Sequence, residues 1–190
     1  KLDLGKPSRI KYNISPDDET LKNIKKRILQ ANNPVIISGH EIAQTNGFNE
    51  ITKFSEIIGA PVYQQTVPHG SHYPSEHKTY MGAMPRSQTH VKNILENYDL
   101  LICIGSDVLR MSVWSSTDPL PKDMSIIHIG IRDWEIGKNY HTEQGILGNV
   151  KTTLFNLNNL ITNNLSKKYI KNANSRIKKI ENKNWSKKKE

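Results

Sequence analysis

Apolar positions along this chain alternate between stripes of helical period and short continuous runs. Leu21, Ile24, Ile28 and Leu29 share one helix face. Ser15 stands where a cap belongs, with Pro16 at the first helical position and Asp17, Asp18 and Glu19 in the first turn. A helix is predicted from there to about Asn32-Asn33. Residues 34–38 form an apolar run stopping at Gly39, the pattern of a buried strand. Phe48, Ile51, Phe54, Ile57 and Ile58 mark a second helix closed by Gly59, and Val62 and Tyr63 belong to the next strand. Residues 66–86 have little periodicity and carry Pro68, Gly70, Pro74, Gly82 and Pro85. Val91, Ile94 and Leu95 mark a third helix, and Asp99 leads directly into a strand over 100–104. A loop through Pro119 and Pro121 precedes a strand over 125–131. After Gly145 and Gly148, the residues Val150, Leu154, Leu157, Leu160 and Ile161 form a final helix.

Strands apolar on both faces, alternating with helices, predict a doubly wound, Rossmann-like α/β domain. Its parallel sheet would have about five or six strands with helices on both faces. Ligands in such folds sit beyond the carboxyl ends of the strands. Here those ends are Ser38-Gly39-His40, Gln65-Thr66, Gly105-Ser106-Asp107 and Gly130-Ile131-Arg132. Residues 1–14, with Gly5 and Pro7, read as an extended linker. From Asn163 the chain is rich in Lys and Asn, with Ile170, Ile177, Ile180 and Trp185 sparsely placed. That segment reads as a loose helix or as disordered.

The 190 residues suit one domain with extensions. Charge changes the picture because it is unevenly placed. Residues 1–162 carry 17 Lys/Arg against 16 Asp/Glu, whereas residues 163–190 carry 10 against 2. The net charge of +9 therefore describes the tail and not the domain. Cys103 is the only cysteine, so no internal disulfide can form and a reducing compartment is expected. It lies mid-strand, where a buried, inert thiol is expected. No apolar run approaches the ~20 residues of a membrane span, and the N-terminus lacks a signal-peptide core. A cytoplasmic protein is expected. The chain starts without methionine, which suggests a piece of a longer one.

The first strand-to-helix turn has only one glycine at Ser38-Gly39-His40, with Gly47 too far along for G-x-G-x-x-G, so a dinucleotide site of the usual kind is not expected. A helix N-terminus near Thr45-Asn46 could hold an anion, though a capped helix without a ligand is the simpler reading. His69, His72 and His77 share one loop, yet Glu76 is the only acid beside them and no cysteine is near. A polar surface or interface loop is expected there rather than a metal site. No G-x-S-x-G elbow appears, and no carboxylate pair stands out for acid–base work. Asp107 at a strand end reads as a cap for the following turn. The basic tail offers only Tyr169 and Trp185 for stacking and no nucleic-acid module, so a solvated segment joining two domains is expected.

Four stretches together resemble a known family. They are Asn33-Pro34-Val35-Ile36-Ile37-Ser38-Gly39, Gly59-Ala60-Pro61-Val62, Tyr98-Asp99-Leu100-Leu101-Ile102-Cys103-Ile104-Gly105, and the run from His128 through Arg132, Asp133 and Gly137 to Lys138. In order and spacing they resemble the central domain of thiamine-diphosphate-dependent enzymes such as acetolactate synthase and benzoylformate decarboxylase. The resemblance implies the DHS-like NAD/FAD-binding type of Rossmann-like fold. It also implies that residues 1–30 are an incoming linker and first helix, 31–162 the central domain, and 163–190 a basic linker toward a diphosphate-binding domain. In that family the catalytic glutamate lies in a pyrimidine-binding domain. The Gly-Asp-Gly…Asn motif that holds Mg²⁺ and thiamine pyrophosphate lies in the diphosphate-binding domain. Neither motif occurs in this chain.

Met81-Gly82-Ala83-Met84-Pro85 and Val108-Leu109-Arg110 look more like benzoylformate decarboxylase than acetolactate synthase. Synthases that keep FAD show an acidic D-I-D where this chain has Gly130-Ile131-Arg132, and an R-F-D-D-R loop where it has Ser106-Asp107-Val108-Leu109-Arg110. Those differences argue against FAD. An ADP-like ligand at the strand ends, as in oxalyl-CoA decarboxylase, stays open.

Two functions follow from these residues. In the first, the chain is the structural and interface domain of a decarboxylase or acetolactate-synthase-like enzyme. It would have no catalytic or metal-binding residue of its own, would work inside a homodimer or homotetramer, and would expose apolar faces to sister domains. In the second, it is a free-standing FAD- or ADP-binding module with a basic tail. Gly39, Thr66, Gly105, Ser106 and Arg132 would then line the nucleotide site, which in the first reading is vestigial.

Overall fold

The computed structural model describes residues 5–6, 13–67, 70–111, 114–163 and 165–188. Most of the expected 1–14 linker, including Pro7, lies outside them, as do Pro68 and His69. Helix α1 (Asp18–Gln30) starts later than Ser15 predicts. Its cap is Asp17, whose carboxylate accepts the Thr20 N–H at 2.7 Å. A carboxylate caps as well as a hydroxyl and adds a favourable interaction with the helix dipole. Ser15 is used elsewhere: its Oγ accepts from Asn156 Nδ2 at 3.1 Å and ties the entry segment to a later helix.

Six strands make one parallel sheet: β1 (Pro34–Ser38), β2 (Val62–Gln64), β3 (Tyr80–Ala83), β4 (Leu100–Ile104), β5 (Ser125–Gly130) and β6 (Gln144–Leu147). Their order is β3-β2-β1-β4-β5-β6, so the chain winds one way from β1 and the other way from β4. Around them run α2 (Glu41–Gln44), α3 (Phe48–Ile58), α4 (Gln88–Leu95), α5 (Val150–Thr162), α6 (Lys167–Glu181) and α7 (Trp185–Lys188). This is the doubly wound architecture predicted. The edge strands β3 and β6 are the two that periodicity does not reveal. Both are half exposed and carry glycine, Gly82 and Gly145, so neither has the apolar run of a central strand. The strand read as 125–131 ends at Gly130.

One face of the sheet offers Ile36, Ile102, Ile104, Ile127 and Ile129 to α1, α3 and α5, forming the larger core. The other offers Val35, Ile37, Leu101, Cys103 and Ile126 to Val91 and Leu95 of α4 and to Val108 and Leu109 of a loop. Each such side chain, fully buried, contributes about 1.5–3 kcal/mol. That is why β1 and β4, buried on both faces, anchor the domain.

The basic tail is neither loose nor disordered over its described residues. Ser166 caps α6 by accepting the Tyr169 N–H at 3.1 Å. Ala173 and Ile177 are buried, with Ala173 against Gly59, where an added Cβ would come within 2.6 Å of the Ala173 carbonyl. Arg176 donates to three carbonyls: Gly59 at 3.1 Å, Asn32 at 3.0 Å and Ile58 at 2.7 Å. Trp185 of α7 then packs on Tyr80 and over Gly82. Two small contact points and one arginine hold a helix whose composition is otherwise that of a solvated segment.

Candidate functional site

The carboxyl ends of β1 and β4 flank the point where the winding reverses, the usual ligand crevice of this architecture. In this chain the two loops touch. The Gly39 N–H donates to Ile104 O at 2.9 Å and the Glu41 N–H to Gly105 O at 3.2 Å. A Cβ on Gly39 would overlap the Gly105 carbonyl and the Ser106 Cα. Gly105 has φ +59°, and a Cβ there would lie 2.6 Å from Glu41 Cβ. Glycine is required at both positions, once for close backbone approach and once for a left-handed turn.

Glu41 opens the short helix α2, and its side chain is only 2% exposed. Oε2 accepts the Ile131 N–H at 2.9 Å, and Oε1 accepts from Arg132 Nε at 3.1 Å. Arg132 Nη2 reaches Asp107 Oδ1 at 2.7 Å, and the other Asp107 oxygen faces Arg110 at 3.6 Å. Burial works against the guanidinium charge, but the bond to Glu41 and the charge of Asp107 outweigh it and hold Arg132 above its ordinary pKa. His128, buried on β5, donates from Nε2 to Ser106 O at 2.8 Å, which fixes its neutral tautomer. Burial holds that imidazole below its ordinary pKa. Ser106 Oγ donates to Ile37 O at 3.3 Å.

Of the five residues expected at a nucleotide site, Gly39, Gly105, Ser106 and Arg132 come together here. Thr66 lies one strand away, past the end of β2, with its buried Oγ1 making no hydrogen bond. Asp107 pairs with Arg132 instead of capping its turn. Near Thr45-Asn46, α3 starts beyond Gly47 with no side-chain cap, while Thr45 Oγ1 donates to Glu41 O at 2.8 Å. Sequence reasoning missed Glu41. Its only signal was an acidic residue two places past the strand-ending Gly39, with arginine past the end of another strand.

A family model described as "Thiamine pyrophosphate enzyme, central domain" matches residues 21–157. The chain belongs to that family. It is 29% identical over 149 residues to an acetolactate synthase of Mycobacterium leprae, covering 77% of this chain and 23% of that protein. To a benzoylformate decarboxylase of Pseudomonas aeruginosa it is 20% identical over 114 residues, covering 60% of this chain and 22% of that protein. These identities are higher on the synthase side, whereas Met81–Pro85 pointed to the decarboxylase. In fold it is similar to a thiamine diphosphate-dependent 4-hydroxybenzoylformate decarboxylase of Rhodococcus jostii, with TM-score 0.73 and 21% identity over 83% of this chain and 29% of that one. The chain thus spans about a quarter of the length of these curated relatives.

The residues of this central domain do not fit thiamine pyrophosphate with its metal. No Gly-Asp-Gly occurs in the sequence. Among the described residues no three His, Cys, Asp or Glu side chains converge as a metal site would require. In the histidine loop, His77 Nδ1 lies 3.0 Å from Tyr73 Oη and 2.9 Å from Thr79 Oγ1, and its Nε2 faces Glu56 at 3.2 Å. Ser55 completes that network at 2.9 Å from Tyr73, so these polar groups pin the loop onto α3. His72 is buried edge-on to His40, and His69 lies outside the described residues. Cys103 is fully buried, and burial pushes its thiol far above the ordinary range, which leaves no thiolate for chemistry.

Proposed function

We propose that this central domain is a non-catalytic structural and interface domain of a 2-oxo acid decarboxylase or an acetolactate-synthase-like enzyme. In that enzyme the flanking pyrimidine- and diphosphate-binding domains would hold thiamine pyrophosphate and Mg²⁺, and the whole would act as a cytoplasmic homodimer or homotetramer. The single observation that carries the reading is the contact between the loops after β1 and β4. Gly39 lies against Gly105, and the Glu41 carboxylate is engaged by Ile131 and Arg132 at the strand ends where a pyrophosphate would approach. The set Gly39, Thr66, Gly105, Ser106 and Arg132 is then a vestige of a nucleotide site. Exposed aromatics are available for a packing role: Trp114 is 87% exposed, Trp134 64% and Phe155 56%.

Calorimetric titration of this chain with FAD and with ADP tests the proposal. Absence of a saturable heat at millimolar ligand is the expected result. Saturable binding that Arg132→Met abolishes would replace it with the nucleotide-module reading. As the positive arm, adding the flanking domains of the same protein should slow hydrogen exchange around Trp114, Trp134 and Phe155.

A further inference from the structure

At the other end of the sheet, before β1 and β2, α6 roofs a cavity of 610 Å³. Ligand pockets commonly hold about 300–1,000 Å³. Its floor is aromatic and apolar, built by Tyr63, Met81, Ile94 and Tyr98. Its rim is cationic, with Lys179 in the last turn of α6 and Lys183 just past the C-cap Asn182. No carboxylate lines it, and neither lysine is in an ion pair among the described residues. Arg176 also borders it, but each of its three guanidinium nitrogens donates to a backbone carbonyl, so it is anchored in the wall beside the two exposed lysines. Burial holds the Tyr63 and Tyr98 phenols above their ordinary pKa, so both remain neutral. Asparagines complete the wall; the amide of Asn97 is turned back onto Asn93 O and Ile94 O.

An apolar, ring-lined floor under two uncompensated like charges suits one ligand chemistry. We propose that this cavity binds a small flat organic anion, its ring against Tyr63, Ile94 and Tyr98 and its carboxylate or phosphate between Lys179 and Lys183. The cavity exists only because α6 docks, so the tail that looked like a solvated linker completes a binding site. This inference does not depend on the proposed function.

The test uses the 190-residue chain and phenyl phosphate, followed by calorimetry and by backbone amide shifts. One saturable site is expected, with shifts at Asn93, Asn97 and Tyr98. The exposed pair Lys179→Gln/Lys183→Gln should weaken it about tenfold without loss of fold, since two partly screened charges are removed. Benzoate in a parallel titration identifies the preferred anion by whichever probe binds more tightly. Phenyltrimethylammonium, equal in shape but cationic, should not bind. Three results would overturn the proposal: no saturable shift at millimolar phenyl phosphate, binding indifferent to the double substitution, or inorganic phosphate binding as tightly as phenyl phosphate. The first would leave the lysines as mere complements to the C-terminal end of α6.

Discussion

Replacing Glu41 with alanine tests whether the closed crevice is structural. The carboxylate satisfies the Ile131 N–H and one arm of Arg132, and it is all but sealed from solvent. Removing one partner of a buried ion pair costs about 3–5 kcal/mol. Arg132 keeps Asp107 at 2.7 Å and is itself 21% exposed, which places the loss at the low end. About 3 kcal/mol is therefore expected, or ~6–12 °C in Tm for a domain of this size. Glu41→Gln keeps the shape and one acceptor, so it should cost only about 1–2 kcal/mol. Urea and thermal unfolding followed by circular dichroism, with matched m-values, give both numbers. A double-mutant cycle with Arg132→Met should show coupling above ~1 kcal/mol. If Glu41→Ala changes stability by less than about 1 kcal/mol, the ion pair is not a structural closure and the crevice is adaptable enough to admit a ligand.

Gly39→Ala should destabilise the domain by about 3 kcal/mol, because its methyl group meets backbone that must move, whereas Gly47→Ala, whose nearest atom is a hydroxyl at 3.3 Å, should stay within ~1 kcal/mol. Thermal melts of the pair check this. Arg176→Met removes three bonds to carbonyls and should release α6 locally at a cost of about 2–3 kcal/mol. Hydrogen exchange should then rise across residues 167–181 while β1 and β4 stay protected; a uniform rise would contradict the local unlatching. His128 has its folded pKa depressed by burial, so it favours the folded state above its unfolded pKa and loses that contribution as pH falls. Unfolding free energy should decline below about pH 6.5, and His128→Gln should flatten the decline. A residual slope is expected from His77, depressed for the same cause.

What the sequence made legible depended on burial on two sides. The runs at 34–38 and 100–104 announce themselves because every position faces a helix layer or a packed loop. β3 and β6 do not, because an edge strand with one wet flank tolerates Gly82, Gln144 and Gly145. The tail failed for another reason. Its docking depends on Ala173 fitting over Gly59 and on Arg176 reaching carbonyls more than 100 residues away, and neither contact leaves a periodic trace. At the candidate site the strand ends Gly39, Gly105 and Arg132 were legible from the fold rule alone. Glu41 was not, since an acid at the start of a short helix is ordinary until Arg132, 91 positions later, is placed beside it.

The same rule of tertiary contact accounts for how this central domain distributes its polar chemistry. Doubly wound sheets concentrate binding capacity at the reversal between β1 and β4, where strand ends and helix starts converge. Here that convergence is consumed internally: Arg132 answers Glu41 and Asp107, and Ser106 answers His128. Arg132 thus meets two carboxylates, at 3.1 Å and 2.7 Å, before any ligand is considered. Two lysines in no ion pair among the described residues lie instead at the end of α6, where Lys179 and, just past the helix, Lys183 border an aromatic floor. The proposed anion cavity thus lies at the amino end of the sheet, and the helix that roofs it is held there by Arg176. Loss of that latch should therefore abolish phenyl phosphate binding while leaving the Glu41–Arg132 closure intact.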